Sequence, residues 1–327
     1  MISYKKDSIV IRNISGTSQA VNQMDVDATS PLSVSLMPSG LDKMLGEQKM
    51  KDLMNYLLTS IHPAEIQYPF LPPMKNASEV NAVLSNRAQV PDTKQSKDPM
   101  NILWVSGPKD HGPDEHDYPL QQERWTKLIS LEDNVSITNV SQWPSSDQFK
   151  NSDVIVFYWN FPGFNEEHGK QLDSFLQRGG GLVYLHYAVD ATENPKALAD
   201  RIGLVWQGGV SKFRHGEVEL KITENDHPIT QGFNRVIFHD ESYWQLVEGA
   251  KNINVLATAE EEGKEIPMLW TTTEGKGRVF VSILGHYNWT FDDPLFRILL
   301  LRGIAWTGNQ SNHRFEDIVT IGARVSK

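Results

Sequence analysis

The 327-residue chain contains no cysteine. That one absence excludes disulfides, thiolate metal sites, covalently attached c-type haem and any Cys-nucleophile mechanism. Long hydrophobic runs are missing too. No stretch approaches the roughly 18 consecutive apolar residues of a membrane-spanning helix, so no membrane insertion is expected. Positive charge is in deficit: 31 Lys and Arg stand against 41 Asp and Glu, a net charge of −10, with no basic cluster. A nucleic-acid or anionic-membrane surface is therefore not expected. The start, Met1-Ile-Ser-Tyr-Lys-Lys, has no apolar run behind its lysines and is not a signal peptide as written; a leader trimmed from a longer product stays open. What is present, 39% hydrophobic residues with 23 Gly and 17 Pro, is ample for an α/β core and argues against a disordered chain. The length suggests two domains, or one large domain with an appendage.

Residues 1–62 form a first unit. Ser8–Arg12 has a short strand pattern. Leu41, Met44, Leu45, Met50, Leu53, Met54, Leu57 and Leu58 follow the three- and four-residue steps of an amphipathic helix. Residues 63–99, with Leu71-Pro-Pro-Met and Val90-Pro-Asp-Thr, are expected to be a linker holding one helical turn near Ala77–Ser85. From residue 100 to 308, strands and helices alternate: strands at Ile102–Ser106, Val135–Val140, Asp153–Trp159 and Leu182–His186, helices at 121–131 and 166–178. The apolar strands are continuous, the mark of a parallel sheet covered on both faces. A β-rich insertion follows, with strands near 213–222, 235–239, 253–258, 266–271 and 278–284. A helix over Phe296–Trp306, introduced by Asp292-Asp293-Pro294, closes the core. Residues 309–327 are expected to be a polar tail with one strand-like piece at Asp317–Ala323.

In an open parallel sheet, ligands bind at the carboxyl ends of the strands. The polar residues at those ends are the candidates. Asp110-His111 and Glu115-His116-Asp117-Tyr118 follow the first strand, Trp159-Asn160 the third, His186 the fourth, and His286-Tyr-Asn288 the last. His215 and the run His239-Asp240-Glu241-Ser-Tyr243 lie in the insertion. A lone His is more often structural than functional, but several at one rim raise the case for a site. Imidazole beside carboxylate suits acid–base work or a divalent ion, although Asp240-Glu241 also fits a solvated turn. Aromatic residues such as Trp159 offer flat faces to sugar C–H groups. Gly179-Gly-Gly181 follows a helix and opens a strand, so it is a helix cap rather than a phosphate loop.

Residues 101–308 resemble the trehalose-utilisation (ThuA-like) family of the class I glutamine amidotransferase-like superfamily. The segments that carry the resemblance are Ile102-Leu-Trp-Val-Ser-Gly, Gly179-Gly-Gly-Leu-Val-Tyr-Leu-His186, Asp226-His-Pro-Ile-Thr-Gln-Gly232, Asp240-Glu-Ser-Tyr243, Leu284-Gly-His286 and Asp293–Trp306. The resemblance implies a flavodoxin-like parallel sheet with helices on both faces. It also marks a departure: where the amidotransferases place a nucleophilic Cys after the fourth strand, this chain has His186-Tyr187. Residues 1–58 resemble the end of a bacterial c-type cytochrome domain around Met37-Pro38-Ser-Gly. Without the Cys-x-x-Cys-His motif, Met37 is expected to be a former axial ligand. That ancestry implies a periplasmic or secreted origin, with a cytoplasmic one as the alternative.

The expected function is chemistry on a small carbohydrate, a disaccharide or keto sugar, by a lyase, isomerase or hydrolase reaction rather than glutamine hydrolysis. His186 and Glu241 are the candidate base and acid, and His286 orients or polarises a carbonyl. His111, His116, Tyr118, Trp159, His215, Asp240, Tyr243 and Asn288 are candidate substrate contacts. A divalent metal bridging His and carboxylate, and a homo-oligomer, remain open. The alternatives are a non-catalytic sugar-binding protein and an interaction module built on the Leu41–Leu58 helix. Catalysis requires His186, Glu241 and His286 to meet within hydrogen-bond reach, whereas a binding protein allows them to be dispersed.

Overall fold

The computed structural model describes residues 2–5, 8–12, 18–22, 41–60, 71–85, 98–250 and 252–326. The chain divides into two compact units, Met1–Met54 and Asn55–Lys327. In the first, strands β1 (Ile2–Lys5), β2 (Ser8–Arg12) and β3 (Ser18–Asn22) form an antiparallel meander. Sequence pattern alone reveals only β2. Helix α1 (Leu41–Ser60) is interrupted at Gly46, whose φ of 70° and ψ of 170° are not helical. Met44, assigned to the apolar stripe, is 79% exposed; the break displaces the stripe's first turn from the rest. Met37 lies outside the described residues.

Beyond α1 the second unit continues with β4 (Lys75–Asn76) and α2 (Ala77–Ser85). Its parallel core is built from β5 (Met100–Ser106), α3 (Tyr118–Ile129), β6 (Val135–Val140), α4 (Ser146–Asn151), β7 (Val154–Tyr158), α5 (Glu166–Gln177) and β8 (Gly181–Leu185). Then come α6 (Pro195–Ile202), β9 (Leu204–Val205), β10 (Lys212–Ile222), β11 (Arg235–Trp244), β12 (Val247–Glu248), β13 (Asn254–Glu261) and β14 (Lys264–Glu274). The chain returns to the core with β15 (Gly277–Ser282), α7 (Asn288–Asp292) and α8 (Pro294–Thr307), and ends in β16 (Val325–Ser326).

One nine-stranded sheet organises this unit, in the order β11-β10-β13-β14-β15-β8-β7-β5-β6. The five strands from β15 to β6 are parallel. Ranked by sequence, they run 2-1-3-4-5, the flavodoxin-like order. Every residue of β7 and β8 is buried, which a parallel strand achieves only with both faces covered. The insertion between β8 and β15 extends the same sheet with four antiparallel strands. Local signals agree with the boundaries. Ser145 caps α4 through a capping box with Gln148, and Asp293 accepts from Leu295 N at 2.9 Å to start α8 at Pro294. Asp292 is instead paired with Arg124 and Arg297.

Three expectations change. Strand β11 runs on to Trp244, so Asp240-Glu241 is no turn: Glu241 sits opposite His215, and Tyr243 opposite Phe213, in register with β10. Within the segment expected to be a linker, the helical turn stands at Ala77–Ser85 as expected, and what differs is that its Val80 and Val83 are buried in the core. The C-terminal tail also packs. Phe315, Ile318 and Val319 are buried, and the piece expected as a strand is a 3-10 turn at Glu316–Ile318. The tail's strand is β16, which pairs in parallel with β4.

Helix α8 lies so close to the sheet that a Cβ on Gly181 would sit 2.6 Å from the Thr307 carbonyl oxygen. Gly181→Ala is expected to destabilise the fold by about 1–3 kcal/mol through overpacking, read as a lower urea midpoint. A pH dependence follows from His227. Burial, together with the charge of Arg278, pushes its pKa down to about 4 from 6.5, and its Nδ1 faces the Ile229 N–H at 3.3 Å. The unfolded chain takes up this proton first, so stability should fall as pH drops from about 6.5 to about 4. His227→Asn should flatten the slope in that window, measured by urea melts across pH.

Candidate functional site

The carboxyl ends of the parallel strands bring four side chains to one point. His186 follows β8 directly, His286 ends the Ile283–Gly285 connection after β15, His116 lies in the loop after β5, and Glu241 comes from β11. His186 Nε2 is 2.9 Å from His116 Nε2 and 3.1 Å from His286 Nδ1. Glu241 Oε2 is 3.1 Å from His186 Nε2 and 2.8 Å from His286 Nδ1. The Tyr243 hydroxyl, also on β11, reaches His186 Nε2 at 2.9 Å and donates to Glu241 Oε2 at 3.1 Å. All five side chains are buried.

Their backs are held by oxygens. His186 Nδ1 is 2.7 Å from the Ile283 carbonyl, and His116 Nδ1 is 2.7 Å from Asp110 Oδ1. Both are acceptor-only groups, so each imidazole carries its proton on Nδ1 and turns Nε2 inward. Asp110 also faces His111 at 2.9 Å and accepts from Asn160 at 3.0 Å. Beneath the cluster, the buried Asp240 carboxylate accepts three backbone N–H groups: Glu241 at 2.7 Å, His286 at 2.9 Å and Gly285 at 3.1 Å. The rim is strained. His111, His116 and His186 adopt φ values of 62°, 44° and 51°, a left-handed region that non-glycine residues enter where surrounding structure compels it, often at functional sites. Gly285 is required: its φ is 134°, and a Cβ there would lie 3.2 Å from the Cβ of His186.

Residues 108–307 match the family model described as "ThuA: Trehalose utilisation", and the site lies within that span. The chain belongs to the ThuA family. Two solved structures have the same fold. A ThuA-like protein of Parabacteroides merdae is 23% identical, with a TM-score of 0.50, over 65% of this chain and 91% of that one. A ThuA-like protein of Bacteroides uniformis is 16% identical, with a TM-score of 0.50, over 66% of this chain and 96% of its own length. None of the curated proteins matches the chain.

In this ThuA-family chain, His116 joins His186, Glu241 and His286 at the centre, although sequence pattern ranks it only as a contact residue. His111 stacks on His116 with ring centroids 3.9 Å apart, at the exposed side. His215 lies across from Glu241, 3.5 Å from its Oε1, with its Nδ1 2.9 Å from the Tyr287 hydroxyl. Tyr118 is buried, and its hydroxyl is 2.9 Å from His116 Nδ1, behind the imidazole. Asn288 accepts from Gln121 and donates to Asp114, bracing the loop that carries His116. Trp159 is not part of the cluster. It stacks on Phe161 at 4.4 Å within an aromatic slab that includes Trp143 and Phe157. His168 packs on Trp143 at 4.2 Å, outside the cluster. Asp110, Asn160 and Glu115 matter more than their sequence signals suggest, because only the fold reveals that Asp110 faces His111 and His116, that Asn160 donates to Asp110 and that Glu115 lies near His286. Among the described residues, a second group of potential ligands, Asp110, His111 and His116, adjoins the first through the shared His116.

The charges oppose one another. Burial pushes the Glu241 carboxyl up, but its close contacts with the His186 and His286 imidazoles outweigh it, and Glu241 stays ionised well below the usual carboxylate range. Burial pushes His286 down, while the hydrogen bond and charge of Glu241, with Asp240 and Glu115 adding to it, raise it above an ordinary imidazole. His116 is driven down to about 3, chiefly by burial and by the neighbouring imidazoles, against the pull of Asp110. The cluster thus holds one carboxylate, one imidazole that favours its proton and one that refuses it.

Because Asp240 satisfies three buried N–H groups, Asp240→Ala should orphan them at about 1–3 kcal/mol each. Urea denaturation is expected to show a loss of several kcal/mol, with Asp240→Asn intermediate since it keeps one acceptor oxygen.

Proposed function

We propose that the chain is an enzyme that performs acid–base chemistry on a small carbohydrate, a disaccharide or its keto form, at the carboxyl rim of the parallel sheet. The family ties the chain to a sugar-related role. The observation that carries the catalytic reading is the meeting of His186, Glu241 and His286 within 3.1 Å of one another in a buried setting. A protein that only binds sugar has no need to desolvate three imidazoles around a carboxylate.

In a keto sugar, the hydrogen on the carbon beside the carbonyl is acidified, and a neutral imidazole suits its removal. His186 is placed for that role, since its Nδ1 donates to the Ile283 carbonyl and leaves Nε2 facing inward. Glu241, weighed from sequence as the acid, is held ionised and so favours the protonated form of His286. The His286 Nε2 is buried with no hydrogen-bond partner, which leaves its proton free for an oxygen on which charge builds. The proton taken by His186 then returns to a departing glycosidic oxygen, an elimination, or to a neighbouring carbon, an isomerisation. The Tyr243 hydroxyl, between His186 and Glu241, is the second available donor. His111, His215 and Tyr287 line the accessible side where a sugar would sit.

The test is turnover of a panel of disaccharides and their 3-keto derivatives, followed by NMR of the products. His186→Ala, His286→Ala and Glu241→Gln should each lower turnover by about 100-fold or more. Wild-type rates in all three variants would sink the reading.

A further inference from the structure

We infer that His116, His186, Glu241 and His286 form a binding site for one first-row divalent metal ion, with Zn²⁺ the best match. The inference rests on reading these four residues as one functional site, and it needs no sugar to be tested; a bound ion would occupy His186 Nε2 and replace the His286 proton, so the roles given above are those of the metal-free cluster.

The first support is the direction of the lone pairs. His186 donates its Nδ1 proton to a carbonyl, and His116 donates its own to a carboxylate. Their bare Nε2 atoms therefore face each other at 2.9 Å, and a carboxylate oxygen stands 3.1 Å from the same His186 atom. Two lone pairs and an anion pointed at one another repel unless a cation lies among them. Protons satisfy such a set one pair at a time, whereas one metal ion satisfies it at once.

The second support is spacing. Donor atoms bound to one ion at about 2.0–2.1 Å are separated by about 2.9 Å at right angles and about 3.4 Å at the tetrahedral angle. The four contacts here run 2.9, 3.1, 3.1 and 2.8 Å, and the four donor atoms all lie within 4.8 Å of one another. Three imidazoles and one carboxylate suit Zn²⁺ and its first-row neighbours, whereas Mg²⁺ and Ca²⁺ prefer all-oxygen sets.

The third support is the outer layer. Ligating histidines almost always present their second nitrogen to a carboxylate or a carbonyl. His116 faces Asp110 at 2.7 Å and His186 faces the Ile283 carbonyl at 2.7 Å, while Glu115 Oε1 stands 3.7 Å from His286 Nε2, beyond hydrogen-bond reach. His286 Nε2 is also buried without a hydrogen-bond partner, so His286 directs Nδ1, not Nε2, to the centre.

The full chain, tag-free and extensively dialysed, should carry about one equivalent of a first-row divalent ion by plasma mass spectrometry. Occupancy should fall at least tenfold in His186→Ala and Glu241→Gln. It should persist in His239→Ala, which lies on the same strand as Glu241 but pairs with Glu217. Asp110→Asn should weaken affinity by about 10–100-fold. Stripping by a chelator should lower the melting temperature, with recovery on adding Zn²⁺ and none with Mg²⁺. Should the ligand variants fail to fold, Co²⁺ loaded into the stripped wild type gives an independent answer, since a four-ligand nitrogen–oxygen site produces visible absorption. The inference is overturned by wild-type protein without metal that neither shifts its melting temperature with Zn²⁺, Mn²⁺ or Co²⁺ nor colours with Co²⁺. It is also overturned by metal content unchanged in both ligand variants when they are folded. Metal bound without turnover of any sugar would overturn only the catalytic reading above. Sugar turnover by a wild type that takes up no metal would overturn only this one.

Discussion

One buried carboxylate holds the site in place. Asp240 joins the middle of β11 to the connection that carries His286, through three backbone hydrogen bonds made without exposure to water. Because its oxygens accept from both elements, the position of Glu241 and that of His286 are set by the same group. The desolvation cost of an anion here is met by N–H donors rather than by a counter-ion. Everything above depends on that registration: a shift of β11 by one residue would turn Glu241 and Tyr243 to the opposite face of the sheet.

The insertion supplies what a five-stranded flavodoxin-like sheet lacks. The parallel strands deliver imidazoles at their carboxyl ends, but the carboxylate and the phenol come from β11, the outermost strand of the antiparallel extension. The extension must therefore curl back over the rim of the core, and His215 on β10 comes with it, opposite Glu241. Electrostatically the two contributions are complementary. Three imidazoles crowded together would depress one another's protonation, and the Glu241 charge reverses that for His286.

Much of this was legible in the residues. The alternation of continuous apolar strands with amphipathic helices announces the parallel sheet, and the rule that ligands gather at carboxyl strand ends singles out His186, His286, His111 and His116. Strand ends are readable because each apolar run stops at a polar residue. The length of β11 was not legible, since His239-Asp240-Glu241 is as polar as a turn, and only its pairing with β10 makes it strand. The role of Asp240 was hidden for a related reason: backbone acceptors leave no side-chain pattern. Trp159 illustrates the converse. A tryptophan beside a candidate site looks like a sugar platform, yet the slab formed with Phe157, Phe161 and Trp143 claims its ring. The packing of the C-terminal tail against β4 depends on contacts across some 250 residues, beyond any local pattern.

The four central residues come from positions 116, 186, 241 and 286, and the contacts between them close loops of 45 to 100 residues. Contacts of such long range form late in folding, after the loop-closure entropy of the intervening chain has been overcome. No fragment lacking either the insertion or the last core strand can assemble the cluster, and no collapsed intermediate with an unzipped β11 can either. The cluster is consequently a property of the finished sheet, complete only when the last strand is in place, so a partly folded chain holds no half-built version of it.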